Sequence, residues 1–335
     1  MPWEIDMLAI GVADATIIRY IDRKNREFVI LIDAGKAGAG PIIEDHIKKW
    51  TTKKSIDLAI CTHPDDDHIG GFPYVLDHLN IKEFWIHDPY KHIDAVKAIR
   101  KEMSLNESTI QIKKWFDILL EHLGHAKDVL TKLKSHPSII VREPFVGLTY
   151  PQACITVVGP TPDYYESLLA KFNDVAEILL NESASRIDET LTSKNLLSDE
   201  QYVNKAKDPS KPNASSAIIL FKPKGKKYLF TSDATVESLN RAKAECDLTN
   251  LYWMDLPHHA SRYNINTELI NHFKPKTAYV SGDGKGHYPN PAVVRLLQHA
   301  GASVFMPKKS SLRHYSGMGE RSGYIKAVPL NGLEM

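Results

Sequence analysis

The most constraining feature of the chain is a cluster of acidic and imidazole side chains that directly follows an apolar run. The run Leu58–Cys61 leads into the sequence Thr-His-Pro-Asp-Asp-Asp-His-Ile-Gly-Gly over residues 62–71. Two histidines and three aspartates therefore fall within residues 63–68. Carboxylates this close repel one another unless a cation or another partner compensates them. A buried strand that ends in such a cluster predicts a metal site on the loop after the strand.

Length and composition are those of an ordinary α/β protein with ample material for a core. The 335 residues suit one large domain or two small ones, and 43% of them are hydrophobic and 25% charged. The formal net charge of +1 gives no overall field that favours nucleic acid or an anionic membrane, although it is compatible with a local basic groove. The three scattered cysteines have no CxxC spacing. That pattern suits a reducing compartment and argues against a thiolate zinc site.

The N-terminal residues and the hydropathy predict a cytoplasmic protein that has no membrane partner. Glu4 and Asp6 lie where a signal peptide needs basic residues. No run approaches the roughly 20 apolar residues that span a bilayer.

The periodicity predicts strands and helices that alternate along the chain. In the first third, strands are expected over 8–10, 16–20, 28–32, 57–61 and 83–86, and helices over 41–50 and 72–79. A helical insertion is expected over about 95–146, then a strand over 149–158, a helix over 164–180 and a polar loop over about 181–213. Alternating strands and helices follow in the last third. We expect stacked mixed sheets with helices outside, in one catalytic domain over residues 1–335.

Candidate metal ligands recur at the ends of these predicted strands. Asp33, Asp233 and the pair His258-His259 each follow an apolar run, as the 63–68 cluster does. Histidine and carboxylate ligands without thiolates suit Zn²⁺, Mn²⁺ or Fe²⁺, and a set of this size suits two ions. Two neighbouring ions can share a water, lower its pKa and hold an oxyanion.

The order of these motifs resembles the metallo-β-lactamase superfamily of hydrolases. The motifs are Asp-x-Gly at 33–35, His-x-Asp-x-Asp-His at 63–68, Ser-Asp-Ala at 232–234 and His-His-Ala-Ser at 258–261. Within the superfamily the chain is most similar to the metallo-β-lactamase domain of DNA-uptake competence channel proteins, on the segments 10–15, 281–283 and 287–289. The resemblance implies an αββα sandwich with a helical insertion.

The resemblance also implies a ligand set and leaves the number of ions at one or two. His63 and Asp65 would bind the first ion, and Asp67 and His68 the second. Asp233 would bridge both ions, and His258 would complete the second site. The superfamily's Gly-Asp-Ala reads Ser232-Asp-Ala here, and Asn-Ala-Ser-Ser at 213–216 replaces its third-motif histidine. The first site is therefore expected to be the weaker one.

Three further residues near these motifs also receive expected roles. Asp33 is expected to order the metal loop by accepting hydrogen bonds from backbone N–H groups. His259 is expected either to support a ligand or to assist the departing oxygen. His287 is expected either to be a loop histidine or to help stabilise the leaving group.

The leading functional hypothesis is a metal-dependent phosphodiesterase or nuclease. In it, a metal-activated hydroxide attacks phosphorus, and Asp67 and Asp233 position the ions. The substrate would be nucleic acid or a nucleotide, a preference that rests on analogy with the DNA-uptake competence proteins. One alternative is a metallohydrolase of carboxylic esters, lactones or thioesters. Another is a metal-bound, non-catalytic scaffold whose helical region 95–135 docks a partner protein.

Overall fold

The computed structural model describes residues 1–102, 124–171, 198–206, 208, 210–284, 288–307, 310–322, 324 and 328–332. Within these residues the strands form two sheets of seven strands each. The first sheet has the spatial order β14-β1-β2-β3-β4-β5-β6, and the second has the order β13-β12-β11-β10-β9-β8-β7.

The first sheet is antiparallel at one side and parallel at the other. Strand β14 pairs antiparallel with β1, and β1, β2 and β3 continue antiparallel, whereas β3 to β6 are parallel. The strands are β1 Trp3–Met7, β2 Thr16–Ile21, β3 Glu27–Ile32, β4 Ile56–Ile60, β5 Ile81–Trp85, β6 Ile140–Arg142 and β14 Leu312–Ser316.

The second sheet, built from residues 149–305, has the same arrangement. Strands β7 to β10 are antiparallel, and β10 to β13 are parallel. The strands are β7 Thr149–Tyr150, β8 Ile155–Gly159, β9 Ile218–Phe221, β10 Tyr228–Phe230, β11 Trp253–Asp255, β12 Thr277–Tyr279 and β13 Ser303–Phe305.

Aromatic side chains fill the space between the two sheets. Trp3 and Tyr20 of the first sheet contact Phe221 of the second, with ring centroids 5.8 and 6.1 Å apart. Trp85 and Trp253 lie fully buried in the same cluster. Large apolar groups that leave water here supply the main force that holds the sheets face to face.

Helices cover the outer face of each sheet. Ile43 and Phe72 belong to the core outside the first sheet, and Leu239 and Leu297 to the core outside the second. The helices are α1 Gly40–Trp50, α2 Asp66–Ile69, α3 Phe72–His78, α4 Ile93–Glu102, α5 Gly124–Lys134, α6 Pro162–Ala170, α7 Asp199–Asn204, α8 Lys211–Ala214, α9 Val236–Glu245, α10 Thr267–Phe273 and α11 Pro291–His299. The layers are therefore helix, sheet, sheet and helix, which confirms the expected αββα sandwich.

The strand expected over 8–10 is wrong, and the first strand lies earlier. Residues 8–10 begin the loop between β1 and β2. The strand Trp3–Met7 carries Glu4 and Asp6, and these charged residues interrupt the apolar pattern expected of a buried strand. Both carboxylates are buried and paired, Glu4 with Arg313 at 2.6 Å and Asp6 with Arg321 at 2.9 Å.

Two of the predicted segments are described in part. The region 95–146 contains most of α4, all of α5 and the edge strand β6, with residues 103–123 outside the described range. The helix expected over 164–180 is described as α6, and residues 172–197 lie outside the described range. Among the described residues, no helix is both long and apolar enough to cross a bilayer.

Candidate metal centre

The candidate ligands converge because the parallel strands of both sheets end at the same edge of the sandwich. In the first sheet the loop after β3 carries Asp33, and the loop after β4 carries His63 and His68. In the second sheet Asp233 follows β10, and the turn Pro257–Ala260 follows β11. Parallel neighbours bring their carboxyl ends together, so the loops meet where the two sheets face each other.

Four buried side chains form the tightest group of possible ligands in the described structure. They are Asp14, His68, Asp233 and His259, and one donor atom from each lies within 4.8 Å of the others. His68 Nε2 lies 3.4 Å from Asp14 Oδ2 and 3.4 Å from Asp233 Oδ1. Two ligands at about 2 Å from one tetrahedral ion are separated by about 3.3 Å, so this spacing fits a metal.

The two oxygens of the Asp233 carboxylate face different histidines. Its Oδ1 lies on the His68 side. Its Oδ2 lies 3.8 Å from His63 Nε2 and 3.7 Å from His258 Nε2. Asp65 also approaches His63, at 3.7 Å, and its side chain is 41% exposed. A carboxylate placed between two donor groups in this way has the geometry of a ligand shared by two ions.

Several donor atoms in the centre lack hydrogen bonds. His63 Nε2, His68 Nε2 and Asp233 Oδ1 are buried and have no hydrogen-bond partner within the described part of the chain. Unpaired polar atoms in a protein interior cost free energy. The donor set, which consists only of imidazole nitrogens and carboxylate oxygens, therefore fits divalent metal ions.

Asp33 fixes the orientation of His68 and of the loop. Its Oδ1 accepts the backbone N–H of Thr62 at 2.8 Å, which confirms the expected role. Its Oδ2 accepts from Thr62 Oγ1 at 2.7 Å and from His68 Nδ1 at 2.8 Å. Because a carboxylate can only accept, the proton of neutral His68 lies on Nδ1, and its Nε2 lone pair is left for the centre.

Ser232, which replaces the superfamily's glycine, extends this network. Its φ of 49° is in the left-handed region that glycine adopts easily. Its hydroxyl lies 2.6 Å from Thr62 Oγ1 and 3.3 Å from His63 Nδ1. Since the Thr62 hydroxyl donates to Asp33, Ser232 donates to Thr62 and accepts from His63. The Nε2 lone pair of His63 is thereby also left for the centre.

The turn after β11 gives His258 and His259 different surroundings. Residues His258, His259 and Ala260 all have positive φ, at 48°, 54° and 64°. His259 is 2% exposed, its Nδ1 lies 3.0 Å from the carbonyl oxygen of Ser281, and its Nε2 lies 3.5 Å from Asp67 Oδ2. The carbonyl fixes the His259 proton on Nδ1.

His258 is the more exposed of the two histidines, with 27% of its side chain accessible. Its Nδ1 lies 3.2 Å from Asn264 Oδ1 and 3.7 Å from Asp208 Oδ2. Asn213 and Asn264 each donate to that Asp208 oxygen at 2.8 Å. These contacts hold His258 at the solvent side of Asp233.

In the candidate metal centre, the histidines and the carboxylates shift one another's pKa values. Burial by itself would lower the pKa of His68, but the carboxylates of Asp233, Asp14 and Asp33 raise it well above its ordinary value. Burial would raise the pKa of Asp233, but His258, His68 and His63 hold it well below its ordinary value. Burial raises the pKa of Asp14. Protons on the imidazoles thus balance the carboxylates, and a bound cation would displace them.

The structure brings together most of the residues that the sequence singled out and adds Asp14. His63, Asp65, Asp67, His68, Asp233, His258 and His259 all lie around the centre. His287 lies outside the described residues. Asp14 received no role in the sequence analysis, although its place in a glycine-containing loop between two strands was the available signal.

A family model matches one part of the chain. Residues 10–138 match the family model described as "Metallo-beta-lactamase superfamily". This segment includes Asp14 and the 63–68 cluster. Together with the two-sheet fold, the match supports assignment of the chain to the metallo-beta-lactamase superfamily, and the fold and ligand cluster support a metal-dependent hydrolase.

Two individual proteins are similar to parts of the chain. ComE operon protein 3 of Bacillus subtilis (strain 168) is 25% identical over 112 residues, which is 33% of this chain and 14% of that protein. The crystal structure of a long form RNase Z from yeast aligns with a TM-score of 0.40 and 11% identity, over 92% of this chain and 41% of that chain. Both alignments thus span less than half of the relative's length.

Proposed function

We propose that the protein is a metal-dependent phosphodiesterase that acts on nucleic acid or on a nucleotide. The observation that carries the proposal is the position of Asp233, whose Oδ1 faces His68 and whose Oδ2 faces His63 and His258. A pair of ions that shares one carboxylate is well suited to in-line displacement at phosphorus.

The residues divide between two ions on this proposal. His63 and Asp65 would hold the first ion, and Asp67, His68 and His259 the second, with Asp14 beside the second and Asp233 between the two. Zn²⁺ and Mn²⁺ both suit this donor set. When bound, the ions supply Lewis acidity, which activates water and stabilises negative charge on the phosphoryl oxygens.

The roles of the two adjacent histidines follow from their surroundings, and we propose the reverse of the sequence-based assignment. His259 is buried, its Nδ1 proton is fixed by the Ser281 carbonyl, and its Nε2 is directed at Asp67, as a ligand requires. His258 is partly exposed and supported by Asn264 and Asp208. We assign to His258 Nε2 the delivery of a proton to the departing oxygen. A role for His287 stays a prediction.

The preference for phosphodiesters rests on the resemblance of four ordered motifs to the DNA-uptake competence proteins. The polar segment 213–216, in place of the third-motif histidine, is part of that resemblance. Asn213 contributes to the support of His258 through its contact with Asp208. A cytoplasmic location and a protein partner at the helical region 95–135 remain predictions.

The test is hydrolysis of bis(p-nitrophenyl) phosphate and of fluorescent single-stranded DNA by protein supplied with Mn²⁺ or Zn²⁺. Asp67→Ala should reduce turnover by at least 100-fold. Asp66→Ala is the matched control, because Asp66 belongs to the same loop but faces exposed His125 at 3.9 Å. Equal turnover in all three proteins would point to a contaminant. Turnover only of p-nitrophenyl esters would favour the ester hydrolase instead, and metal binding without any turnover would favour the scaffold.

A further inference from the structure

A cleft that the proposed chemistry does not use lies directly beside the metal centre. Its atom-free space amounts to about 470 Å³, a figure that includes open solvent at its mouth. Thr62 and His63 belong to its wall, so a group bound there would lie next to the donors of the first ion. The remaining wall is mainly apolar and includes Ile69, Ile86 and Leu168.

His87 is a buried polar group in this wall that lacks partners. It is 7% exposed, and within the described part of the chain neither ring nitrogen has a hydrogen-bond partner. Its ring stacks on Tyr165 with centroids 4.5 Å apart and an interplanar angle of 24°, and it contacts Phe145 at 4.7 Å. The two aromatic neighbours hold the imidazole in one orientation, and its unpaired nitrogens cost free energy that a suitable ligand would recover.

The protonation state of His87 defines what such a ligand must offer. Burial lowers the pKa of His87 to about 3, so the ring is neutral near pH 7. A neutral imidazole presents one N–H donor and one acceptor nitrogen. An acyl or alkyl chain would fill the apolar walls but leave both nitrogens unpaired. A planar ring with polar atoms on its edge would fill the space between the apolar walls and would pair with one of the two nitrogens, which point in different directions.

Lys211 supplies the charge of the cleft. It is the one Lys, Arg, Asp or Glu among the described residues of the wall, and it forms no ion pair with another described residue. It lies at the start of α8, and Ser215 after the same helix is also part of the wall. An ammonium without an ion-pair partner beside a metal centre suits a phosphate.

We propose that this cleft is a subsite for a nucleobase attached to the phosphodiester that the metal centre hydrolyses. The base would lie between the apolar walls with a polar atom of its edge paired to one nitrogen of His87, and a phosphate would lie on Lys211. This inference rests on the proposed function, and it names the nucleobase as the recognised group. The base can belong to a free nucleotide or to a single strand.

The experiment compares equilibrium binding of adenosine monophosphate and ribose 5-phosphate to the EDTA-treated full-length chain by titration calorimetry. The nucleotide should bind at least tenfold more tightly, because only it carries a base. His87→Phe keeps the aromatic stacking but removes both nitrogens, and it should weaken nucleotide binding about tenfold while ribose 5-phosphate binding stays unchanged. His87→Asn, which retains a donor and an acceptor, should restore part of the loss.

Lys211→Met should weaken the binding of both compounds by a similar factor. His272→Phe and Lys205→Met are the matched controls, because both residues lie outside the cleft wall. Thermal unfolding of each variant confirms that it is folded. Equal affinity for the two compounds, no binding of either, or unchanged nucleotide binding by His87→Phe would overturn the proposal.

A trinucleotide, (pA)₃, distinguishes the two sources of the base. Binding tighter than that of the mononucleotide would assign the subsite to a strand, and equal binding to a free nucleotide. These measurements require no turnover, so they remain readable if the protein hydrolyses no phosphodiester. Hydrolysis without preference for a base would contradict the subsite and leave the proposed reaction intact.

Discussion

Asp33 accepts a hydrogen bond from His68 Nδ1 at 2.8 Å, although the two residues are 35 positions apart in the chain. The bond joins the loop after β3 to the loop after β4. The bond places the proton of neutral His68 on Nδ1 and leaves the Nε2 lone pair directed at the metal centre. Asp33 therefore affects metal binding through His68 without being a ligand itself.

Replacement of Asp33 by asparagine should therefore weaken metal binding without removing a ligand. The amide can turn its NH₂ towards His68 and so favour the wrong tautomer. We expect a loss of about 10–100-fold in Zn²⁺ or Mn²⁺ affinity, measured by titration calorimetry.

Asp57→Asn is the control for this variant, because Asp57 is equally buried but bonds the Val29 amide instead of a histidine. It should lower stability and leave metal affinity close to that of the unchanged protein. Equal metal affinity in Asp33→Asn and the unchanged protein would contradict the role of Asp33.

Separate replacement of His258 and His259 should distinguish the ligand from the proton donor. His259→Asn should reduce the amount of metal retained after dialysis, because it removes a buried nitrogen directed at Asp67. His258→Asn should retain the metal and lose most of its turnover. Elemental analysis and phosphodiester assays on the same samples measure both effects, and metal loss in His258→Asn alone would reverse the two assignments.

The backbone at Ala260 predicts an unusual response to glycine. Ala260 has a φ of 64°, and the left-handed conformation costs an alanine about 1 kcal/mol more than it costs a glycine. Ala242 is also buried but lies within helix α9, where glycine costs about 1 kcal/mol. The unfolding free energy of the Ala260→Gly variant should therefore exceed that of the Ala242→Gly variant by at least about 1 kcal/mol. Urea denaturation checks the difference, and equal losses would show that the turn is unstrained.

His314 predicts a dependence of stability on pH that is separate from the metal centre. Burial lowers the pKa of His314 to about 4, from an ordinary value of 6.5. Between these values the unfolded chain binds a proton that the folded chain does not, so the unfolding free energy falls as the pH is lowered from 6.5 to 4. The shift corresponds to a loss of up to about 3 kcal/mol.

His314→Phe should remove this part of the acid sensitivity. Its ring would still stack against Trp3, where the present centroid distance is 5.5 Å. The His314 Nε2, which has no hydrogen-bond partner among the described residues, would be lost at little cost. Urea titrations at several pH values measure the effect. His78→Phe, an exposed histidine stacked on Tyr74, serves as the control. An identical decline in the unchanged protein and in His314→Phe would refute the assignment.

The sequence predicts the ligand loops well because their chemistry is local. The cluster at 63–68 follows the apolar run Leu58–Cys61, and strand ends of this kind can be found from the pattern alone. Asp14 could not be recognised in the same way, because a single aspartate in a loop carries no local pattern. It becomes a candidate ligand only when folding brings its Oδ2 within 3.4 Å of His68 Nε2. The different surroundings of His258 and His259 could not be predicted either, since their distances to Asp208 and Ser281 depend on three consecutive left-handed residues.

The strand Trp3–Met7 was missed for a related reason. Glu4 and Asp6 would argue against a buried strand unless their cationic partners were known. Those partners, Arg313 and Arg321, come from the far end of the chain. A buried charge can be anticipated only together with the group that compensates it.

The candidate ligands come from both sheets, and this has a consequence for assembly of the chain. His63 and His68 belong to the first half of the sequence, whereas Asp233 and His259 are synthesised much later. A folding intermediate that contains only strands β1 to β6 lacks half of the coordination shell and would hold an ion poorly. Since an ion stabilises only the state that binds it, metal availability would favour chains in which the two sheets have already docked. Metal bound at the centre would then stabilise only those chains that have folded completely.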